Sequence, residues 1–120
     1  MMNRVSVLEQ CKAALMAVRA QEGVVEGLQD APLPQNAPVW QMRVDAAQRT
    51  LEASRRHYDT IYPVALGALD GLVGREYDVL WRYYVMGQTT REIARCRREA
   101  HRTITRAKAQ GLRRLEGYHE

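Results

Sequence analysis

The chain has 120 residues, is 46% hydrophobic and 27% charged, and carries a formal net charge of +4, enough to bury one modest core or two small helical units with a shared interface. No apolar run approaches the roughly 18 to 20 residues needed to span a bilayer, and Glu9, Gln10 and Lys12 break the N-terminus before a signal-like stretch develops, so a cytoplasmic protein with no membrane role is expected. The charge is unevenly placed: residues 1–71 hold seven Lys/Arg and eight Asp/Glu, a balance of −1, whereas residues 72–120 hold eleven and six, a balance of +5.

Strand signals are nearly absent. Val/Ile/Thr runs with period two do not occur, Phe is missing, and Ala, Leu, Arg, Glu and Gln dominate, which predicts an all-α fold. In the first block Leu8, Cys11, Leu15, Val18, Glu22, Val25 and Leu28 recur at spacings of three and four, a helical seam broken only at Glu22. This helix is expected to end before Asp30, because Pro32, Pro34 and Pro38 follow in a stretch that cannot continue it.

The second block repeats the pattern through Trp40, Val44, Ala47, Leu51, Ser54, Tyr58 and Ile61. Two helices with matched seams and a short proline-rich connection predict an antiparallel hairpin resembling a two-stranded coiled coil, with dimerisation as a further possibility. Pro63 and the glycines Gly67 and Gly71 then predict a kink or an interdomain junction. The expected division is a helical hairpin over residues 1–68 and a second domain over 69–120.

In that second domain Val79, Leu80, Tyr83 and Tyr84 give an apolar face to a helix from about Val73 to Met86, and Gly87 stands where a left-handed terminator belongs. Thr89-Thr90-Arg91-Glu92 matches a capping box, so a short new helix starts there with Ile93 and Ala94 inward. A turn near Arg97 leads to a final helix of about Ala100 to Leu115. Its inner face is Ile104, Ala107, Gly111, Leu112 and Leu115, and its outer face is His101, Arg102, Thr105, Arg106 and Arg113. From Arg91 to Arg114 there are nine Lys/Arg against the two acids Glu92 and Glu99, the electrostatic footprint of a nucleic-acid-binding module.

The segment EYDVLWRYYVMGQTTREIARCRREAHRTITRAKAQGLRRL resembles region 4 of bacterial sigma factors and the LuxR-like helix-turn-helix group. Gly87, Glu92-Ile93-Ala94, Thr103-Ile104 and Leu112-Arg113-Arg114-Leu115 carry the likeness. Region 4 turns usually carry Gly where Arg98 stands and Ser or Thr near Ala100, so this turn departs from the pattern. Nothing in the chain resembles sigma region 2. A hairpin followed by a region 4-like domain is similar in architecture and size to small phage and prophage transcription regulators of the ArpU and RinA kind, which implies a bacterial host cell.

If the final helix enters a major groove, its N-terminal half presents His101, Arg102, Thr105 and Arg106 to base edges, the positions that the resemblance also assigns to promoter bases. Arg91, Arg95, Arg97, Arg98, Lys108, Arg113 and Arg114 are expected on phosphates, where they fix register without reading sequence. The resulting expectation is a sequence-specific transcription regulator with double-stranded DNA as partner, RNA polymerase as a further candidate, and a homodimer through the hairpin. Two alternatives stand beside it: a small terminase-like packaging subunit, which would form a ring, and a protein-interaction module that does not bind duplex DNA.

No catalytic arrangement, metal site or cofactor is expected. His57, Tyr58 and Asp59 are adjacent and so point to different faces of a helix. Cys11 and Cys96 lack any CxxC or Cys/His pairing, indicating neither a zinc site nor a disulfide framework, and both are expected to fill small apolar positions. Trp40, Tyr58, Tyr62, Trp81, Tyr83 and Tyr84 could stack bases, but their helical spacing favours core packing.

Overall fold

The computed structural model describes residues 3–30 and 37–117, and these form an all-α fold with no strand among them. The helices are α1 (Arg4–Asp30), α2 (Ala37–Ala68), α3 (Gly74–Leu80), α4 (Thr90–Arg97) and α5 (His101–Gly117), with a π-helical segment, Trp81–Val85, continuing α3 directly. Most of the proline-rich connection lies outside the described residues.

Asn3 starts α1: its Oδ1 accepts the Ser6 backbone N–H at 2.7 Å. The helix then runs through Asp30 rather than ending before it, and Pro38 sits in the first turn of α2, where a missing N–H costs no helical bond. α1 and α2 pack as an antiparallel hairpin, closed at its far end by the Trp40 indole N–H donating to the Leu28 carbonyl at 3.1 Å. Midway, Arg55 of α2 pairs with Glu22 of α1 at 3.2 Å, so the one polar break in the first seam faces a cation.

Pro63 lies inside α2, which continues to Ala68 and ends within the expected stretch, ahead of Gly71. Pro63 is exposed while Ile61 and Ala65 are buried, so the hydrogen bond it deletes lies on the solvent side, where water can serve the freed carbonyl. One expectation about the hairpin is corrected: Leu15 is not a seam residue. Ala14 and Val18 hold the seam, and half-buried Leu15 reaches toward the Gly87 turn.

Gly87 does take a left-handed conformation, φ +73°, and ends the π segment. A Cβ there would lie 2.7 Å from Leu15 Cδ2 and 2.8 Å from Arg19 Nη1, so the turn is pressed against α1 as closely as a glycine allows. The π segment explains a second departure. Val79 and Leu80 share their buried face with Tyr84 and Val85, five residues on, instead of with Tyr83 and Tyr84 as an α-helical period predicts. Tyr83 is displaced to the edge of the core.

The main buried cluster joins the base of the hairpin (Leu8 and Cys11 of α1, Ile61 and Ala65 of α2) to Leu69, Leu80, Val85 and Leu115. α5 reaches this cluster because Gly111 has no side chain; a Cβ there would meet Leu80 Cδ1 at 3.0 Å. Val79, Ile93, Ala94, Ile104 and Ala107 form a second cluster that binds α4 and α5 to α3, with Tyr83 packed against both. A third, small cluster of Val18, Val25 and Leu51 holds the far half of the hairpin.

Candidate nucleic-acid interface

The α4–α5 unit is built from local signals. Thr89 Oγ1 accepts the Glu92 N–H at 3.1 Å and Glu92 Oε1 accepts the Thr89 N–H at 3.0 Å, the reciprocal capping box that starts α4. These bonds to Thr89 hold the Glu92 carboxyl below the ordinary carboxylate range. At the other end Arg98 adopts φ 55°, ψ 43°, and the Glu99 N–H reaches back to the Ala94 carbonyl at 3.0 Å. A Schellman-type stop is thus made without glycine, at a cost of about 1 kcal/mol. Ala100 precedes α5 and offers no side-chain acceptor, so only its carbonyl takes part, receiving the Thr103 and Ile104 N–H groups.

The turn is braced by alternating charges. Arg82 and Arg97 both donate to Asp78 Oδ2, Arg97 also donates to Glu99 Oε1 at 2.7 Å, and Arg75 donates to Glu99 Oε2 at 2.7 Å. α3, the end of α4 and the turn are therefore tied together by a chain of half-exposed ion pairs. Hydrogen bonding from Arg97, aided by Arg75, pulls the Glu99 carboxyl below its usual range, and the same contacts, Glu99 first and then Asp78, raise Arg97.

This network sorts the arginines. Arg97 is half-buried and paired, and Arg114 donates to Glu76 of α3, 2.8 Å from Oε2. Lys108 leans over the Tyr83 ring, 4.1 Å from its centroid. By contrast Arg91, Arg95 and Arg98 on α4 and its turn, and Arg102, Arg106 and Arg113 on α5, are all exposed and join no ion pair among the described residues. Arg102, Arg106 and Arg113 follow at spacings of four and seven, one stripe of about 16 Å along α5. Buried Ile104, Ala107, Gly111 and Leu115 occupy the opposite side.

His101 and Thr105 are exposed beside this stripe. His101 Nε2 shares a hydrogen bond with Thr90 Oγ1 at 2.8 Å, which draws the start of α5 to the start of α4. Thr105 Oγ1 donates to the His101 carbonyl at 3.0 Å, leaving its methyl and oxygen lone pairs outward. Four side chains at the N-terminal half of α5 are thus exposed to solvent.

Other sequence expectations fall in different places. Cys11 is fully buried, and burial raises its thiol; Cys96 is exposed, since α4 turns Ile93 and Ala94 inward and leaves the position two beyond them facing water. Tyr84 is buried and its phenol is pushed up to about 12 by desolvation, whereas Trp40, Tyr58, Trp81 and Tyr83 are half-buried and Tyr62 is exposed. Tyr58 donates to the Val85 carbonyl at 3.0 Å, bonding the hairpin to the end of the π segment. Among the described residues no helix is long and apolar enough to cross a membrane, and no His/Cys/Asp/Glu cluster could hold a metal ion.

Two cationic residues of the hairpin were not legible as site residues. Arg19 donates to the Met86 carbonyl at 2.8 Å and the Gly87 carbonyl at 3.4 Å, and the Lys12 ammonium lies 3.3 Å from the Tyr83 ring centroid. Both act across more than 60 residues of sequence, and the surrounding charge of the hairpin is balanced, so composition carried no signal for them. No family model, no curated protein and no solved structure matches this chain.

Proposed function

We propose that the chain is a sequence-specific DNA-binding transcription regulator of the helix-turn-helix kind, with α5 as its reading helix. The single observation that carries this reading is the sorting of the arginines. Six stand exposed and unpaired on α4, its turn and the outer face of α5, while Arg75, Arg82, Arg97 and Arg114 are matched to acids of the protein itself. Exposed arginines with neither an ion pair nor a side-chain hydrogen bond among the described residues number six over residues 91–113 against three on the hairpin, Arg43, Arg49 and Arg56, and such a concentration suits a polyanion. In this reading Arg102 and Arg106, with His101 and Thr105, address base edges, and Arg91, Arg95, Arg98 and Arg113 address phosphates.

The hairpin serves as the arm for a second copy or for RNA polymerase. Exposed Val24, Val39 and Met42 near its far end supply apolar surface for that contact. A ring of subunits in solution would instead favour the packaging reading.

The test is duplex binding at two salt concentrations, followed by selection from random duplexes. With four phosphates neutralised by Arg91, Arg95, Arg98 and Arg113, log affinity should fall against log salt with a slope of about −3.6. Arg106→Ala should erase preference for the selected site while sparing weak general binding, and Arg95→Ala should lower affinity for every duplex by a similar factor. Salt-independent binding, or none at low salt, refutes the DNA reading. Equal weakening of the selected and scrambled duplexes by Arg106→Ala refutes the assignment of that residue.

A further inference from the structure

An open groove of about 480 Å³ lies between α1 and α5, floored by Tyr83 of the π segment. Lys12 enters from α1 and Lys108 from α5, with their ammonium nitrogens 3.3 Å and 4.1 Å from the same ring centroid. Neither lysine forms an ion pair among the described residues, although Glu9 also lines the groove. Two like charges therefore converge on one aromatic ring, held by its π face but unneutralised by any carboxylate in contact. Ala13 and Met16 add an apolar wall.

We propose that this groove is a binding site for a phosphate group, held by Lys12 and Lys108 beside Tyr83. Two ammonium groups are compact point charges with no planar fork, which suits a tetrahedral dianion better than a flat carboxylate. The Tyr83 phenol is held below its ordinary range, first by the Lys12 ammonium and further by Lys108, which reports a positive local potential. The π segment contributes too, because it moves Tyr83 out of the buried face and onto the floor of the groove. The uncharged part of a ligand would lie on Ala13 and Met16. The inference stands apart from the DNA reading, since Lys12 belongs to the hairpin and the groove opens beside the inner flank of α5. The phosphate can belong to a free phosphomonoester or to a nucleic-acid backbone.

The experiment is a pair of titrations of the full chain, followed by NMR of the lysine ε-methylene and tyrosine ring signals. One arm uses phenyl phosphate, with benzyl alcohol as the uncharged control, and the other uses a short duplex. Saturable shifts at Lys12, Lys108 and Tyr83 with phenyl phosphate, absent with benzyl alcohol, are expected. Lys12→Gln and Lys108→Gln should each weaken binding about five- to tenfold while helicity and melting temperature hold. If the duplex moves the same signals and Lys12→Gln weakens it, the phosphate comes from the backbone; if only phenyl phosphate does so, the site takes a free ligand. The proposal is overturned if neither titrant moves these signals, if benzyl alcohol moves them equally, or if both variants bind as the parent does.

Discussion

The two ends of the hairpin are built on the same helical period yet held in different ways. At the far end Val18, Val25 and Leu51 meet across two helices, with Ala47 and Tyr58 packed against them. At the base, Leu8, Cys11, Ile61 and Ala65 are enclosed on a further side by Leu69, Leu80, Val85 and Leu115. A two-helix seam needs only apolar residues at the right spacing. A core closed by several segments also needs matched volumes, which is why Gly111 stands where a larger side chain would press on Leu80 and why fully buried Ala65 is small.

The largest effect expected from this contrast comes from removing a leucine at each end. Leu8 is fully enclosed, so Leu8→Ala should cost about 4 kcal/mol, whereas Leu51→Ala at the edge of a two-helix seam should cost about 2 kcal/mol because the site can collapse. Urea unfolding of both variants measures the difference. Equal losses would show that the far end is as closely packed as the base.

A smaller gain is expected at the α4–α5 junction, where Arg98 alone among the described non-glycine residues has positive φ. Arg98→Gly should raise stability by about 1 kcal/mol by releasing that strain, less a little for the greater freedom of glycine in the unfolded chain. An unchanged or lower unfolding midpoint would mean that the Arg98 side chain contributes more than its backbone costs.

The smallest effect is electrostatic and confined to acid. Glu99 is held below its ordinary value of 4.5 in the folded chain by Arg97 and Arg75, so its stabilising contribution is complete above that value and fades as pH falls through the folded one. Melting temperature followed from pH 6 downward should therefore drop less steeply below about pH 4.5 in Glu99→Gln, which should also melt earlier than the parent near neutrality. Parallel curves would remove Glu99 from the acid response.

Legibility followed the distance over which each interaction acts. Thr89 with Glu92, and the stop at Gly87, depend on residues three or four apart, and both were visible as patterns. The hairpin seams were visible for the same reason, apart from Leu15, whose place is decided by a glycine turn far along the chain. Pro63 does not itself end the helix, because a proline disrupts a helix least where its missing donor faces water, and a sequence does not announce which side that is. The π segment left no trace either, since one extra residue in a turn changes which tyrosine is buried without altering composition. Of the candidate interface, the concentration of cations was plain. Which arginines are already bound to Asp78, Glu99 or Glu76 was not, because those pairs join separate helices.

Tyr58 and Arg19, which hold the Val85, Met86 and Gly87 carbonyls from the hairpin side, bear on the autonomy of the cationic half. A fragment cut at Gly74 would keep α3, α4 and α5 with every exposed arginine of the interface, yet it would strip the cover from Leu80, Val85 and Leu115 and leave those carbonyls without their donors. The hairpin precedes that half in the chain and presents Leu8, Cys11, Ile61 and Ala65 to it. It is in this sense a mould: the later helices acquire their final surface by closing onto the hairpin's.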